Sequence, residues 1–184
     1  MVGNGMGAKH GTMFKTAVSL EKTGKTQIVA LDKTGTITKG EMGVVQFFSG
    51  DGTIIDTKQI NNYPDIREKL HVAIGKNTSS MFDEHHRVIS GNATDQALMK
   101  FLGEDSYLKM KEDPSLEIFA SQKFNSSNKF SQAQIGGLTY YKGAPERLLQ
   151  KADRYMGTDG QLHPLDLSCI NQRIDTLAKK AMRV

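Results

Sequence analysis

Three short stretches of this 184-residue chain combine residue types suited to holding or transferring phosphate or its carrier, and a fourth is spaced to start a helix. The first is Asp32-Lys33-Thr34-Gly35-Thr36-Ile37-Thr38. A carboxylate can attack a phosphoryl group and become an acyl phosphate. Gly35 permits a tight turn that aims backbone N–H groups at phosphate oxygens, Thr34 and Thr36 add hydroxyls, and Lys33 adds positive charge. The oxygens in transit also call for a divalent cation, usually Mg2+, which prefers carboxylate and water ligands. The second stretch, Lys142-Gly143-Ala144-Pro145-Glu146, puts a lysine, a glycine open to close approach and a helix start in succession. That order suits an anion or a ring edge. The third runs from Lys123 to Phe130 and offers Phe124 for stacking on a purine and Lys129 for reaching its phosphates. The fourth, Gly91-Asn92-Ala93-Thr94-Asp95-Gln96-Ala97-Leu98, places Asn92 and Asp95 at the spacing of a helix cap.

Each of these residues also has a plainer reading. Phe124 alone reads as core, Lys129 as a solvated cation and Pro145 as a helix starter. His85-His86 reads as an exposed pair, since no third ligand follows at metal-binding spacing. His163-Pro164 reads as part of a turn. Gly3, Gly5, Gly7 and Gly11 form a flexible lead-in; no strand precedes them, and their spacing does not make a dinucleotide-binding turn.

The elements that must position these residues follow from periodicity and punctuation. Residues 12–22 predict a short amphipathic helix with Phe14, Val18 and Leu20 inward. The apolar run 26–31 predicts a buried parallel strand with Asp32 at its C-terminal end, where α/β sheets bind ligands. Residues 44–48 and 53–57 flank Ser49-Gly50-Asp51-Gly52 and predict a hairpin. Helices are expected over 65–75, over 94–102 and after Pro145. Strands are expected over 116–124, 130–135 and 138–142, the last two joined through Gly136-Gly137. A final helix carries Leu167, Ile170, Ile174, Leu177 and Ala181 on one face. Residues 182–184 then read as the start of another strand, an ending that suggests a fragment.

Composition narrows the class. Hydrophobic residues make up 38% and charged residues 24%, a globular balance. The net charge of +4 is spread through the chain, which fits a solvated surface and argues against a nucleic-acid partner. A single cysteine, Cys169, excludes an internal disulfide and a Cys-pair metal site. No apolar run approaches the roughly 18 residues that span a bilayer, so the chain by itself is expected to be soluble and monomeric.

The first heptapeptide resembles the phosphorylation signature of the P-type ATPases, which form an aspartyl phosphate from ATP while moving cations across membranes. The resemblance implies Asp32 as the nucleophile, Lys33, Thr34, Gly35 and Thr36 around the phosphate, and Asp32 and Thr34 at Mg2+. The lysine of Lys142-Gly143-Ala144-Pro145-Glu146 and the aromatic-plus-lysine segment upstream look like that family's adenine site, implying roles for Phe124, Lys129, Lys142 and Gly143. Residues 91–98 resemble the segment whose acidic residue bonds the adenine amino group. Here that residue is Asp95, where many members carry Glu, and a water can bridge the shorter reach. Arg183 resembles a hinge arginine that contacts phosphates.

The implied fold is α+β. A nucleotide-binding domain over 40–181, with a central antiparallel sheet flanked by helices, would be inserted in a partial haloacid-dehalogenase-like α/β phosphorylation domain. Residues 1–39 would supply the stalk and first strand of that outer domain, and 182–184 the return to it. The implied partners are ATP, Mg2+ and a transported cation held by membrane helices outside this stretch, with the domain on the cytoplasmic face. Phosphatases of the same superfamily carry a second Asp two residues after the nucleophile; Thr34 stands there, so the acyl phosphate should persist. Residues 7–22 resemble the stalk of heavy-metal pumps, whereas the nucleotide pocket resembles the calcium-pump branch, so the ion is not indicated. The family's later lysine, its Gly-Asp-Gly-x-Asn-Asp segment and its dephosphorylation loop do not occur here. Asp32 is therefore expected to react in a longer parent and to be idle in this piece. The alternatives are a non-catalytic nucleotide-binding module and a phosphatase.

Overall fold

The computed structural model describes residues 2–184, apart from the side chains of Val2 and Thr34. It divides into two compact units, Met1–Glu41 and Met42–Val184.

In the first unit, helix α1 (Val2–Lys9) precedes α2 (Ala17–Gly24). Thr16 caps α2 by accepting from the Ser19 amide at 3.1 Å. Of the glycines expected to leave the lead-in flexible, Gly11 turns the chain after α1 at φ +74°, while Gly3, Gly5 and Gly7 lie inside α1 instead. Their missing side chains let α2 and its approach pack closely: a Cβ on Gly3 would lie 2.8 Å from Leu20 Cδ2, and one on Gly7 3.0 Å from Phe14 Cε2. That contact offsets part of the entropy glycine loses in a helix. Residues 26–31 do not form the expected strand. Ile28, Val29 and Leu31 are 86%, 71% and 63% exposed, because a parallel strand needs flanking strands for its N–H and C=O groups and none among the described residues pairs with it. Asp32 is therefore followed directly by one wide helical turn, Lys33–Ile37, with Gly35 at φ +79°.

The second unit mixes helices with small antiparallel sheets. Strands β1 (Gln46–Phe48) and β2 (Ile54–Asp56) form the expected hairpin, with Phe47 opposite Ile55. Helix α3 (Pro64–Lys76) has Pro64 in its first turn. The short strands β3 (Met81–Phe82) and β4 (Val88–Ile89) pair before α4 (Ala93–Leu102) and α5 (Glu104–Glu112). Strands β5 (Ile118–Gln122), β6 (Phe130–Ile135) and β7 (Leu138–Gly143) make the largest sheet, in the order β5-β6-β7. Gly136 and Gly137, both at positive φ, close the two-residue β6–β7 turn. A short α6 (Pro145–Leu148), the ladder of β8 (Arg154–Met156) with β9 (Leu162–Pro164), and α7 (Leu167–Lys179) complete the unit.

The core lies around α3. Val72 packs with Ala133 and Ile135 of β6, while Ile74 packs with Met99 and Leu102 of α4. Strand β6 buries alternate residues, Ser131, Ala133 and Ile135, as a one-sided antiparallel strand should. Three expectations give way here. Instead of one central sheet there are, among the described residues, four small antiparallel sheets, the largest of three strands. Helix α7 stops at Lys179, so Ala181, at φ +57°, leaves the apolar face it was assigned to. Residues 182–184 form no strand; no neighbouring ladder takes them up, and the Arg183 guanidinium instead donates to Thr94 Oγ1 at 3.0 Å.

Candidate functional site

The site is built where α3 ends, α4 begins and β7 runs out. Asn92 caps α4 by accepting from the Asp95 amide at 3.0 Å, which turns the Asp95 side chain inward to 4% exposure. Asp95 Oδ2 then accepts from the Ser79 amide at 3.1 Å, and Oδ1 pairs with Lys142 Nζ. The Lys142 ammonium also donates to the Asn77 carbonyl. Lys142 reaches this point because β7 pairs in register with β6, Lys142 opposite Ser131. An aspartate and a lysine with 6% and 21% exposed side chains thus neutralise each other, and each has a backbone partner as well, the condition under which a buried pair holds its geometry.

A cleft of about 110 Å³ opens beside this pair. Its lining includes Asp95, Asn77, Ser79, Gln122, Ser131 and Phe124. Phe124 follows β5 and is 54% exposed, so it is not the core residue its apolarity alone suggests. An adjoining cavity of about 370 Å³ shares Lys76, Thr78, Ser79, Ile118 and Lys123 with the cleft. The smaller space matches a planar ring group rather than a whole drug-sized ligand, for which pockets run roughly 300–1,000 Å³. A half-exposed aromatic face next to a neutral hydrogen-bonded pair suits an uncharged heteroaromatic ring.

The other expected residues are placed differently. Lys129, at φ +60°, pairs with Glu146 Oε1 at 3.3 Å at the head of α6 and does not line the cleft. Glu146 is held below the usual glutamate range first by its own backbone N–H and then by the Lys129 ammonium. The open face of Gly143 is turned to its own chain: a Cβ there would lie 2.4 Å from the Lys129 carbonyl oxygen and 2.5 Å from Phe130 Cα. Arg183 bonds Thr94, the residue before Asp95 in the first turn of α4. In the first unit, Asp32 is exposed and makes no capping hydrogen bond, and Lys33, Gly35 and Thr36 are exposed in the turn beyond it. The side chain of Thr34 lies outside the described residues.

Asn77, Ser79, Lys76 and Gln122 stand in none of the four stretches, and Lys123 enters only as the first residue of the third. The one local signal was the polar run Asn77-Thr78-Ser79-Ser80 closing an apolar helix, which reads equally well as a loop. Among the described residues, no group of three or more His, Cys, Asp or Glu can hold a metal, and no helix is long and apolar enough to cross a membrane.

Comparison with known proteins gives this geometry a context. Residues 66–184 match the family described as P-type ATPase, cytoplasmic domain N. The chain is 30% identical over 188 residues to a potassium-transporting ATPase alpha chain 2 of Homo sapiens, covering 88% of this chain and 18% of the relative. It is 26% identical over 204 residues to calcium-transporting ATPase 1 of Saccharomyces cerevisiae, covering 96% and 21%. Against a probable cation-transporting ATPase F of Mycobacterium tuberculosis the identity is 24% over 199 residues, covering 96% and 22%. The chain thus spans about a fifth of the length of these relatives.

Proposed function

This chain belongs to the P-type ATPases, whose cytoplasmic domain N its residues 66–184 match, and from that premise we propose that it holds ATP for a cation pump. The adenine ring lies against Phe124 in the cleft. Asp95 accepts from the ring's amino group, directly or through water, with Lys142 behind it as its ion-pair partner and Gly143 closing the strand beyond, while Lys129 and Arg183 meet the phosphates. The observation that carries this reading is the half-exposed Phe124 ring sharing one cleft with the buried Asp95, itself paired to Lys142.

In the longer protein, on this proposal, an Asp32 oxygen attacks the γ-phosphorus, a new P–O bond forms, the bond to the β–γ bridging oxygen breaks and ADP leaves. Lys33, Gly35 and Thr36 are the phosphoryl contacts, with Thr34 where a phosphatase would keep its acid. Residues 26–40 contain a single carboxylate, Asp32. That is too few for a complete Mg2+ site, so Asp32 and Thr34 would hold the ion only together with carboxylates from outside this stretch. The outer domain of haloacid-dehalogenase type, the transported cation and the cytoplasmic placement belong to the same proposal. Alone, the chain acts as a nucleotide-binding module, because residues 26–31 form no strand to present Asp32.

Titrating the chain with ATP while following backbone amide signals tests the reading. Phe124, Asp95 and Lys142 should shift together, and a cleft silent at about 1 mM ligand, an affinity worth roughly 4 kcal/mol, sinks it. In the longer protein, labelled ATP should leave an acid-stable, hydroxylamine-sensitive label that Asp32→Asn abolishes; undiminished labelling of that variant refutes the role of Asp32.

A further inference from the structure

We infer that Asn77 is a positioning residue for the nucleotide cleft, holding Lys142 in place without touching the ligand's reacting atoms. The inference rests on the ATP reading above and adds a residue to it. Asn77 follows α3 at φ −113° and ψ 59°, outside the helical region, and is 5% exposed. Its Nδ2 donates to two carbonyls on neighbouring strands, Ser131 O of β6 at 3.2 Å and Tyr140 O of β7 at 3.1 Å. Its own backbone carbonyl accepts from Lys142 Nζ. One short side chain therefore pins the helix end to the strands, and the main chain it pins receives the lysine.

The residue type follows from this task. Two N–H donors on a short stem are supplied by asparagine; aspartate and alanine offer none, and serine offers one. Two residues further on, the Ser79 amide holds Asp95 Oδ2 at 3.1 Å. A single turn thus grips the cation and the anion of the buried pair from the same side. A lysine is a point charge on a flexible four-carbon stem and returns to water readily when its acceptors move. Without the Asn77 carboxamide, the turn is untied from β6 and β7, Lys142 loses a fixed acceptor, and the Asp95 carboxylate lining the cleft loses its fixed counter-charge.

A double-mutant cycle on the 184-residue chain separates this role from general support of the fold. Asn77→Ala should weaken ATP binding about tenfold, the loss of roughly one buried hydrogen-bonded contact. In a Lys142→Met background the same change should weaken binding less than about twofold, because the residue it acts through is gone. Equal weakening in both backgrounds, or no weakening in the Lys142 background of the natural chain, overturns the inference. If Asn77→Ala does not fold, Asn77→Ser, which keeps one donor, carries the same cycle with the same two outcomes. Acylation with an amine reagent, mapped by mass spectrometry, adds a readout without ATP: Lys142 should be protected relative to Lys129 and lose that protection in the Asn77 variant. Protection that persists counts against the inference. Failure of the unaltered chain to bind ATP strikes the functional reading instead and leaves the acylation result to judge Asn77.

Discussion

Two lysines of this chain look interchangeable as letters and differ in what surrounds them. Lys142 keeps 21% of its side chain exposed and faces an aspartate at 6%, whereas Lys129 and Glu146 are 49% and 60% exposed. Water screens the second pair and leaves it worth little. Removing one member of a fully enclosed pair costs about 3–5 kcal/mol, because the partner charge is stranded. Discounted for the remaining exposure of Lys142, Lys142→Met should lower unfolding free energy by about 2 kcal/mol. Lys129→Ala should lower it by less than about 0.5 kcal/mol. Urea melts of the two variants decide this, and equal losses would show that the Asp95 pair is solvated. Sequence could name Asp95, Lys142 and Phe124 as residues with chemistry in reach. It could not show that the aspartate and the lysine bond each other, because 47 residues separate them and the pairing depends on the β6–β7 register.

At the scale of elements, local signals carried far where partners lie close in sequence and failed where they do not. The Gly136-Gly137 turn, the Asn92 cap and Pro64 in the first turn of α3 are each decided within four or five residues, and all three are in the structure. Residues 26–31 have the composition of a buried strand, but composition cannot supply neighbouring strands, and the run stays exposed. The same locality governs pH dependence. His71 packs edge-on to Phe101 with ring centroids 6.3 Å apart. Burial, and then the charge of Arg67, hold it below its ordinary value of 6.5. The unfolded chain therefore takes up this proton first, and stability present above pH 6.5 is lost as pH falls toward the folded value. Asp51 is held below 3.8 by the Ser49 hydroxyl and the Thr53 amide, and Asp113 by the Ser115 hydroxyl and amide. Their contribution is complete above 3.8 and is lost as pH falls through their folded values. Urea midpoints should thus decline in two windows, just below pH 6.5 and again below pH 3.8. His71→Phe should flatten the first decline alone; a slope unchanged in that variant removes His71 as its source.

For the molecule as a whole, the question is what each unit needs in order to fold. Both hydrophobic clusters, around Val72 and around Ile74, lie within Met42–Val184, as do Asp95, Phe124, Lys142 and Asn77. The other buried apolar residues among those described, Ile55, Ile60, Ala97, Ile170 and Leu177, fall in the same unit. Helix α2 of the first unit buries no residue, and Ile28, Val29 and Leu31 stand in solvent. Burial of apolar area supplies most of the driving force for folding, so the second unit holds nearly all of it. A chain beginning at Met42 should therefore melt cooperatively within a few degrees of the 184-residue chain. It should bind ATP with an affinity changed by less than about twofold, equivalent to roughly 0.4 kcal/mol. It should also remain in solution better, since the truncation removes seven large exposed apolar residues: Met6, Met13, Val18, Ile28, Val29, Leu31 and Ile37. Calorimetry and ATP titration of the shortened chain check all three outcomes. A chain that loses its cooperative transition on truncation would mean that residues before Met42 complete the core, and that the exposed run 26–31 supports the fold without being buried in it.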